Sequence, residues 1–439
     1  MNGEKTSQIR WLLIFWLFVL SAVAFLDRVN ISIAGPLLES AYHLSKIQLG
    51  WIFSSFLAGY ALFQTPGGRL ADRLGPRSVL ALGVVWWGVF TALTAAVPSN
   101  FGFALLALMG VRFALGAGEA VIYPASNQFV ARWIPSAERG LANGLIFSGV
   151  GVGAGLTPPL ITYLMLRHGW RLSFLVCAVV GLVAGFIWYL IARNTPQEHP
   201  RVSSNELARI QSGLPPCIEA SKHSLVSWEQ MLRSREVLAV TLSYFTFGYV
   251  AWIFFSWFYI YLAEVRGLNL KASALYTMLP FIAMAVCSPL GGVLSDEVTR
   301  SKGARAGRSG VAVFAMILAA IFLVLGSSAG NARVAVLVLA GGAGALYLSQ
   351  SSFWSVSADI GGASSGSVSG FMNMGNQFGG MITASLTPWI ASQLGWKAPF
   401  FVAAALCLGG AAAWLLVDPR NRLDSAQGLL SKPADGARH

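Results

Sequence analysis

Charge is scarce in this chain. Of its 439 residues, 11% are Asp, Glu, Lys or Arg, against about a quarter in a soluble domain, and the deficit runs through nearly the whole length. Cysteine is sparse too. The four, at positions 177, 217, 287 and 407, show no paired spacing. Three of them lie in apolar stretches and read as small buried side chains, so neither a disulfide framework nor a metal cluster is indicated. The five histidines all fall in polar segments, and no HExxH, CxxC or Walker-type loop occurs. These absences speak against an enzyme, a resident cofactor or metal, and an ATP-driven machine.

Long apolar runs take the place of charge. Hydrophobic residues make up 55% of the chain, with 27 Phe, 15 Trp and 47 Gly, as in helices that pack closely and anchor at membrane interfaces. Stretches long enough to cross ~30 Å of hydrocarbon fall at 11–34, 47–68, 78–98, 101–123, 140–165, 170–192, 236–263, 273–295, 309–329, 333–357, 366–393 and 396–417. The expected fold is an all-α polytopic membrane protein of twelve transmembrane helices in two pseudo-symmetric six-helix bundles. Residues 1–192 would form the first bundle, 193–235 a linker, 236–417 the second bundle and 418–439 a tail. SSNELARI and LVSWEQMLRS in the linker read as short amphipathic helices on the membrane surface, and the tail as disordered. The first run ends without a small-residue cleavage site and reads as a retained helix. Placing both ends in the cytoplasm puts about three times as many Lys and Arg on that side as on the other. The net charge of +12 is therefore topological, with membrane lipid rather than nucleic acid as the expected environment.

Four ionisable residues interrupt the apolar runs. Asp27 and Arg28 lie in WLLIFWLFVLSAVAFLDRVNISIAG, and Arg112 and Glu119 in FGFALLALMGVRFALGAGEAVIYPA. A mid-membrane charge costs at least ~2.5 kcal/mol, so it survives only facing protein or a watery path. Arg112 and Glu119 are seven positions apart and share one helix face, whereas Asp27 and Arg28 point about 100° apart. They could be structural ion pairs between helices. Equally, they could form an anion site in which a guanidinium fork grips a carboxylate beside acids that exchange protons. We assign Arg28 to direct contact with an anion and Arg112 to a carboxylate that changes partner. Asp27 and Glu119 are assigned as proton carriers.

The two halves echo each other. GRLADRLGPR, with Gly68, Asp72, Arg73 and Arg77, follows the second span, and GGVLSDEVTR, with Asp296 and Arg300, follows the eighth. HGWRLSF at 168–174 is matched by LGWKAPF at 394–400. Parallel six-helix halves are one architecture of secondary transporters, with substrate held between them. The two acidic loops would form a breakable lock on one face, the Asp accepting from a helix N-terminus. The second half adds polarity without charge: Ser369, Asn373 and Asn376 form one helical stripe suited to hydroxyl groups, or to bonding between helices. Trp252, Phe255, Tyr259, Tyr261, Tyr347, Phe353 and Trp354 could shape the cavity, most of them reading as packing or interface anchors; Tyr347 and Trp354 share a face, and one of them could line the path.

The twelve spans and the GxxxDRxGxR loop resemble the major facilitator superfamily. FLDRVNISIAGP, RFALGAGEAVIYPASNQFVARWIPSAERGLANG and SGSVSGFMNMGNQFGG more narrowly resemble its anion:cation symporter family. That resemblance implies proton-coupled import of an organic carboxylate across the bacterial inner membrane, with the proton as coupling ion. Sugar acids lead among its substrates, with tartrate and aromatic acids as alternatives. It places Asp27, Arg28, Arg112 and Glu119 at the coupling site and Tyr60 in the cavity. Gln64, one turn beyond Tyr60, is a further candidate. The protein is expected to act as a monomer, by rocking of its halves. An exchanger without proton coupling, or a receptor that transports nothing, would share most of these features.

Overall fold

The computed structural model describes residues 7–99, 102–214, 226–258, 261–262, 266 and 270–423. Cys217, Tyr259 and the expected disordered tail beyond 423 lie outside them. Among the described residues the first half contains α1 (Ile9–Tyr42), α2 (Lys46–Leu74), α3 (Pro76–Ala96), α4 (Ala104–Glu119), α5 (Ile122–Trp133), α6 (Arg139–His168) and α7 (Trp170–Ile191). Two short linker helices follow, α8 (Ser204–Gly213) and α9 (Trp228–Arg233). The second half contains α10 (Arg235–Ser256), α11 (Leu270–Lys302), α12 (Val311–Ser328), α13 (Ala332–Leu348), α14 (Gln350–Gly361), α15 (Ser365–Leu394) and α16 (Lys397–Trp414).

Among the described residues, ten segments are long and apolar enough to cross a membrane, and one of these, Ala332–Ala384, runs over parts of two crossings. The remaining crossing is α2, whose last two turns carry Arg69, Asp72 and Arg73. Twelve crossings result, so this is an integral membrane protein of the expected all-α class. Two of them are longer than their apolar runs and broken. The fourth continues through α5 to Trp133 after a break at Ala120–Val121, and the tenth continues through α14 to Gly361 after a break at Ser349. Hydropathy stops short there because α5 and α14 are buried among other helices and carry polar residues inward.

Turns punctuate the crossings where the sequence supplies them. Ser45 closes a capping box with Gln48 at the start of α2. Gly169 and Gly395, the glycines of the HGW and LGW echo, both have φ of +79°. That left-handed geometry is open to glycine at little cost and lets α6 turn directly into α7, and α15 into α16. The second echo in the sequence is therefore a repeated hairpin.

The linker is bolted to the first half. Glu206 of α8 is fully buried and accepts from the backbone N–H of Ile9 (3.1 Å) and Arg10 (3.2 Å), from Ser7 Oγ (2.5 Å) and from Arg10 Nη1 (3.1 Å). A side chain from the linker thus satisfies the orphan N–H groups that open α1. Arg10 Nε also donates to Glu138 at 3.2 Å. Glu206→Ala leaves a buried arginine half-paired and is expected to cost about 3 kcal/mol, seen as a lowered melting temperature of detergent-solubilised protein. An unchanged melting temperature would show that the clamp carries no stability.

Candidate functional site: a closed cavity above a closed gate

Arg28 projects from the middle of α1 into a ring of aromatic faces, 4.2 Å from the centre of Tyr60 and 4.7 Å from that of Phe25. Its Nε donates to Glu119 Oε1 at 2.5 Å. Glu119 is the last residue of α4, at the break in the fourth crossing, and is fully buried. The pair is not saturated: Arg28 Nη2 and Glu119 Oε2 are buried without a hydrogen-bond partner, and so is the Tyr60 hydroxyl. Asp27 turns the other way. Its Oδ2 accepts from Trp87 Nε1 (2.9 Å) and Thr91 Oγ1 (2.8 Å) on α3. Arg112 lies over Phe56 at 4.8 Å, with Nε and Nη1 unpartnered. The glutamate that shares a helix face with Arg112 is thus bonded to Arg28 instead.

Arg28 lines a cavity between the halves. Phe25, Tyr60 and Tyr123 accompany it from the first half. Tyr244, Trp252, Phe255, Tyr347, Gln350, Asn373, Asn376 and Gln377 face it from the second. The cavity has a volume of about 40 Å³, room for a few waters at most. Of the residues expected to contact substrate, Arg28, Tyr60, Tyr347, Asn373 and Asn376 line it. Arg112, Gln64, Trp354 and Ser369 do not. Trp354 stands one layer back, its indole donating to the Tyr244 hydroxyl at 2.9 Å. Ser369 donates to Gly366 O at 3.2 Å within its own helix, and Gln64 is buried with both amide atoms unpartnered.

Tyr244, Gln350 and Gln377 escaped the sequence reading. Tyr244 Oη accepts from both Gln350 Nε2 (2.8 Å) and Trp354 Nε1, so its own proton remains available to a third group. Gln350 Oε1, Asn376 Oδ1 and Gln377 Oε1 are buried acceptors without donors. A cation thus faces a wall of neutral amides and phenols. Gln350 was visible in principle as an amide inside an apolar run, but a Tyr such as Tyr244 carries no such mark.

One end of the bundle, rich in basic residues, is sealed. Asp72 at the end of α2 accepts from the N–H groups of Gly366 (2.9 Å) and Ser367 (2.8 Å) and from Ser367 Oγ (2.5 Å), at the start of α15. Asp296 near the end of α11 accepts from the N–H groups of Gly140 (2.9 Å) and Leu141 (2.7 Å), at the start of α6. Each carboxylate plugs a helix N-terminus of the opposite half, where orphan N–H groups and the helix dipole favour an anion. The helices meet backbone to backbone. A Cβ on Gly68 would overlap the Gly366 carbonyl, and one on Gly292 that of Gly140. Further bonds cross the seam: Arg139 Nη1 to Asp359 Oδ1 (2.5 Å), Arg308 Nη2 to Ser136 O (2.6 Å) and Asn127 Nδ2 to Ser357 Oγ (2.9 Å). Ser365 Oγ also bonds Gln128.

The basic residues expected at the gate sit away from the Asp72 and Asp296 carboxylates. Arg73 is exposed, Arg77 donates to Tyr189 O within the first half (2.9 and 3.0 Å), and Arg300 pairs with Glu297 on its own helix. The cation at Asp296 is Arg308, 2.7 Å away from a π-helical turn at Arg305–Gly310, and no repeat in the sequence marks it. The stretch Gly362–Gly366 spells G-x-S-x-G, yet it joins two helices rather than a strand and a helix, and Ser364 Oγ accepts from Val226 N (3.0 Å). It belongs to the gate.

Known proteins agree with this architecture. The profile of the Major Facilitator Superfamily matches residues 17–384 and 356–432. A probable sulfoacetate transporter of Cupriavidus necator is 34% identical over 405 residues, 92% of this chain and 92% of that protein. A hexuronate transporter of Bacillus subtilis is 30% identical, over 91% of this chain and 92% of its own length. Among solved structures, the proton:xylose symporter XylE superposes with a TM-score of 0.73 at 16% identity, covering 96% of this chain and 99% of that one. This last likeness establishes the fold.

Asp72→Ala removes three hydrogen bonds from the start of α15, bonds to a charged acceptor being worth ~1.5–3 kcal/mol each. The amides of Gly366 and Ser367 should then exchange hydrogen at least about tenfold faster. Exchange at the wild-type rate would mean that Asp72 does not hold the gate.

Proposed function

The chain belongs to the Major Facilitator Superfamily, and from that premise we propose that it takes up a small organic acid, foremost a sugar acid such as a hexuronate or aldarate, together with protons. The observation that carries this reading is the unsaturated Arg28–Glu119 pair beside a cavity whose far wall is neutral and hydrogen-bonding. While Glu119 is ionised it serves as the counter-ion of Arg28. Protonating it withdraws that charge and frees the guanidinium for the carboxylate of an incoming acid. Proton and substrate then favour each other's binding through one shared arginine, which is the requirement for symport. Asp27 and Arg112 supply the second carboxylate and the second guanidinium of the set.

The far wall supports the sugar-acid preference. Gln350, Asn376 and Gln377 offer amide oxygens that need donors, and sugar hydroxyls supply them. An aromatic acid would leave those oxygens unpaired, at ~1–3 kcal/mol each. The relative named for sulfoacetate favours a second reading, a compact sulfonate-bearing acid held by Arg28 with water filling the far wall. Uptake measured in proteoliposomes across hexuronates, aldarates, sulfoacetate and aromatic acids separates these readings.

The sealed end is where basic residues accumulate, which supports placing it and both termini in the cytoplasm of a bacterial inner membrane. Substrate would enter from the other side, and the cavity must widen to admit it. The halves would then rock about the site, opening the Asp72 and Asp296 contacts to release cargo inward. A monomer suffices for this cycle.

Arg28→Ala should weaken substrate binding by at least about 30-fold, since truncating one member of a desolvated charge pair costs ~2–5 kcal/mol; isothermal titration checks this, and wild-type affinity would remove Arg28 from the site. Glu119→Gln should abolish accumulation driven by an inward proton gradient while leaving counterflow of labelled substrate. Gradient-driven accumulation by that variant would rule out Glu119 as the coupling acid.

A further inference from the structure

A second cavity opens at the basic end, far from the central one, between the turn that follows α11 and the end of α16. Its volume is about 520 Å³, within the range of small-molecule sites. Lys302, Arg305, Ser309, Trp414, Leu415 and Arg420 are among the residues that line it. Lys302 and Arg305 are exposed and, among the described residues, have no carboxylate within ion-pair distance. Arg305 Nη2 makes only a 3.3 Å contact to Leu415 O. Arg420 is committed to Asp418, at 2.7 Å, and its hydrogen bonds hold that carboxyl down at about 2. The pair therefore adds no net charge, and the cavity keeps the two charges of Lys302 and Arg305. Ser309 Oγ is committed to Val417 O (3.0 Å).

Trp414 contributes an observation of a different kind. Its side chain is fully buried, its ring centred 4.8 Å from that of Phe353 and tilted 59° to it, and its indole N–H has no partner. A buried indole normally finds an acceptor. The flanks of the cavity are apolar and exposed: Phe314, Ile317 and Ile321 form one stripe of α12, and Leu415 and Leu416 follow α16. In a membrane such a surface is covered by acyl chains. Two cations without an ion-pair partner and an exposed apolar flank thus adjoin at the basic end, where anionic lipid headgroups attract Lys and Arg.

We propose that this cavity binds the phosphate of an anionic phospholipid, with Lys302 and Arg305 on its oxygens, Trp414 forming part of the cavity wall, and the acyl chains lying along α12 and the end of α16. A soluble phosphate would gain nothing from the apolar flank. A zwitterionic lipid would bring its own cation against Lys302 and Arg305.

Native mass spectrometry of the full chain in detergent, titrated with phosphatidylglycerol or phosphatidylcholine, tests this. One phosphatidylglycerol should be retained in preference to phosphatidylcholine. Lys302→Gln combined with Arg305→Gln should weaken it at least about tenfold, each basic residue near an anionic headgroup being worth several-fold. Both side chains are exposed, so the variant should fold, and an unchanged melting temperature verifies that. Arg333→Gln, a basic residue at the opposite end, should leave retention unchanged. Equal retention of the two lipids, an unaltered affinity in the double variant, or an equal loss in Arg333→Gln would each overturn the proposal. Displacement of the phosphatidylglycerol by millimolar inorganic phosphate would overturn it too, marking a soluble-anion site instead.

Discussion

A guanidinium held within the span of a membrane protein calls for a negative partner, because leaving it bare in low dielectric costs several kcal/mol. Arg28 meets that requirement with Glu119 at 2.5 Å. The surroundings of the pair follow from the same constraint. Aromatic faces shield the guanidinium, α4 ends at the glutamate, and Asp27 is tied to Trp87 and Thr91 on α3, leaving Glu119 as the acid bonded to Arg28. In the proposed cycle the partner of Arg28 is what changes, from a protein carboxylate to that of the cargo. The arginine is never left alone.

The gate applies the same rule at lower stakes. Asp72 and Asp296 are buried, and each is satisfied by N–H groups at the helix N-terminus facing it. Their bonds reach across the seam between the halves, so they exist only while that end is shut. Backbone contact at Gly68–Gly366 and Gly140–Gly292 sharpens the distinction, since even a methyl group would hold the helices apart. Water can replace every one of these hydrogen bonds once the seam parts, which keeps the net stabilisation of the closed state modest. A lock of this kind can be strong in each contact and still reversible. The central cavity is too small for an organic acid in this state, so loading must be coupled to movement of the halves.

The crossings could be read from the sequence because hydrocarbon thickness fixes the length of an apolar run, and the halves because Gly68–Asp72 recurs as Gly292–Asp296. The repeat picked out Asp72 and Asp296, the carboxylates that reach across the seam. It did not pick out Arg308, which reaches Asp296 from a π-helical turn that has no counterpart signal in the chain. Buried charge was equally legible: Asp27, Arg28, Arg112 and Glu119 stood out against apolar neighbours. Their pairing was not, because helical spacing relates residues on one helix, and Glu119 found Arg28 on another. Tyr244, whose hydroxyl collects two hydrogen bonds at the cavity wall, looks like any other aromatic in a transmembrane run.

If one arginine links proton and cargo, the proton itself reports the linkage. Proteoliposomes loaded with a pH-sensitive dye, with no gradient imposed, would be given a hexuronate from outside. Linkage through Arg28 requires acidification of the lumen that saturates with substrate and disappears in Glu119→Gln. Entry of labelled hexuronate at an unchanged lumenal pH would rule it out.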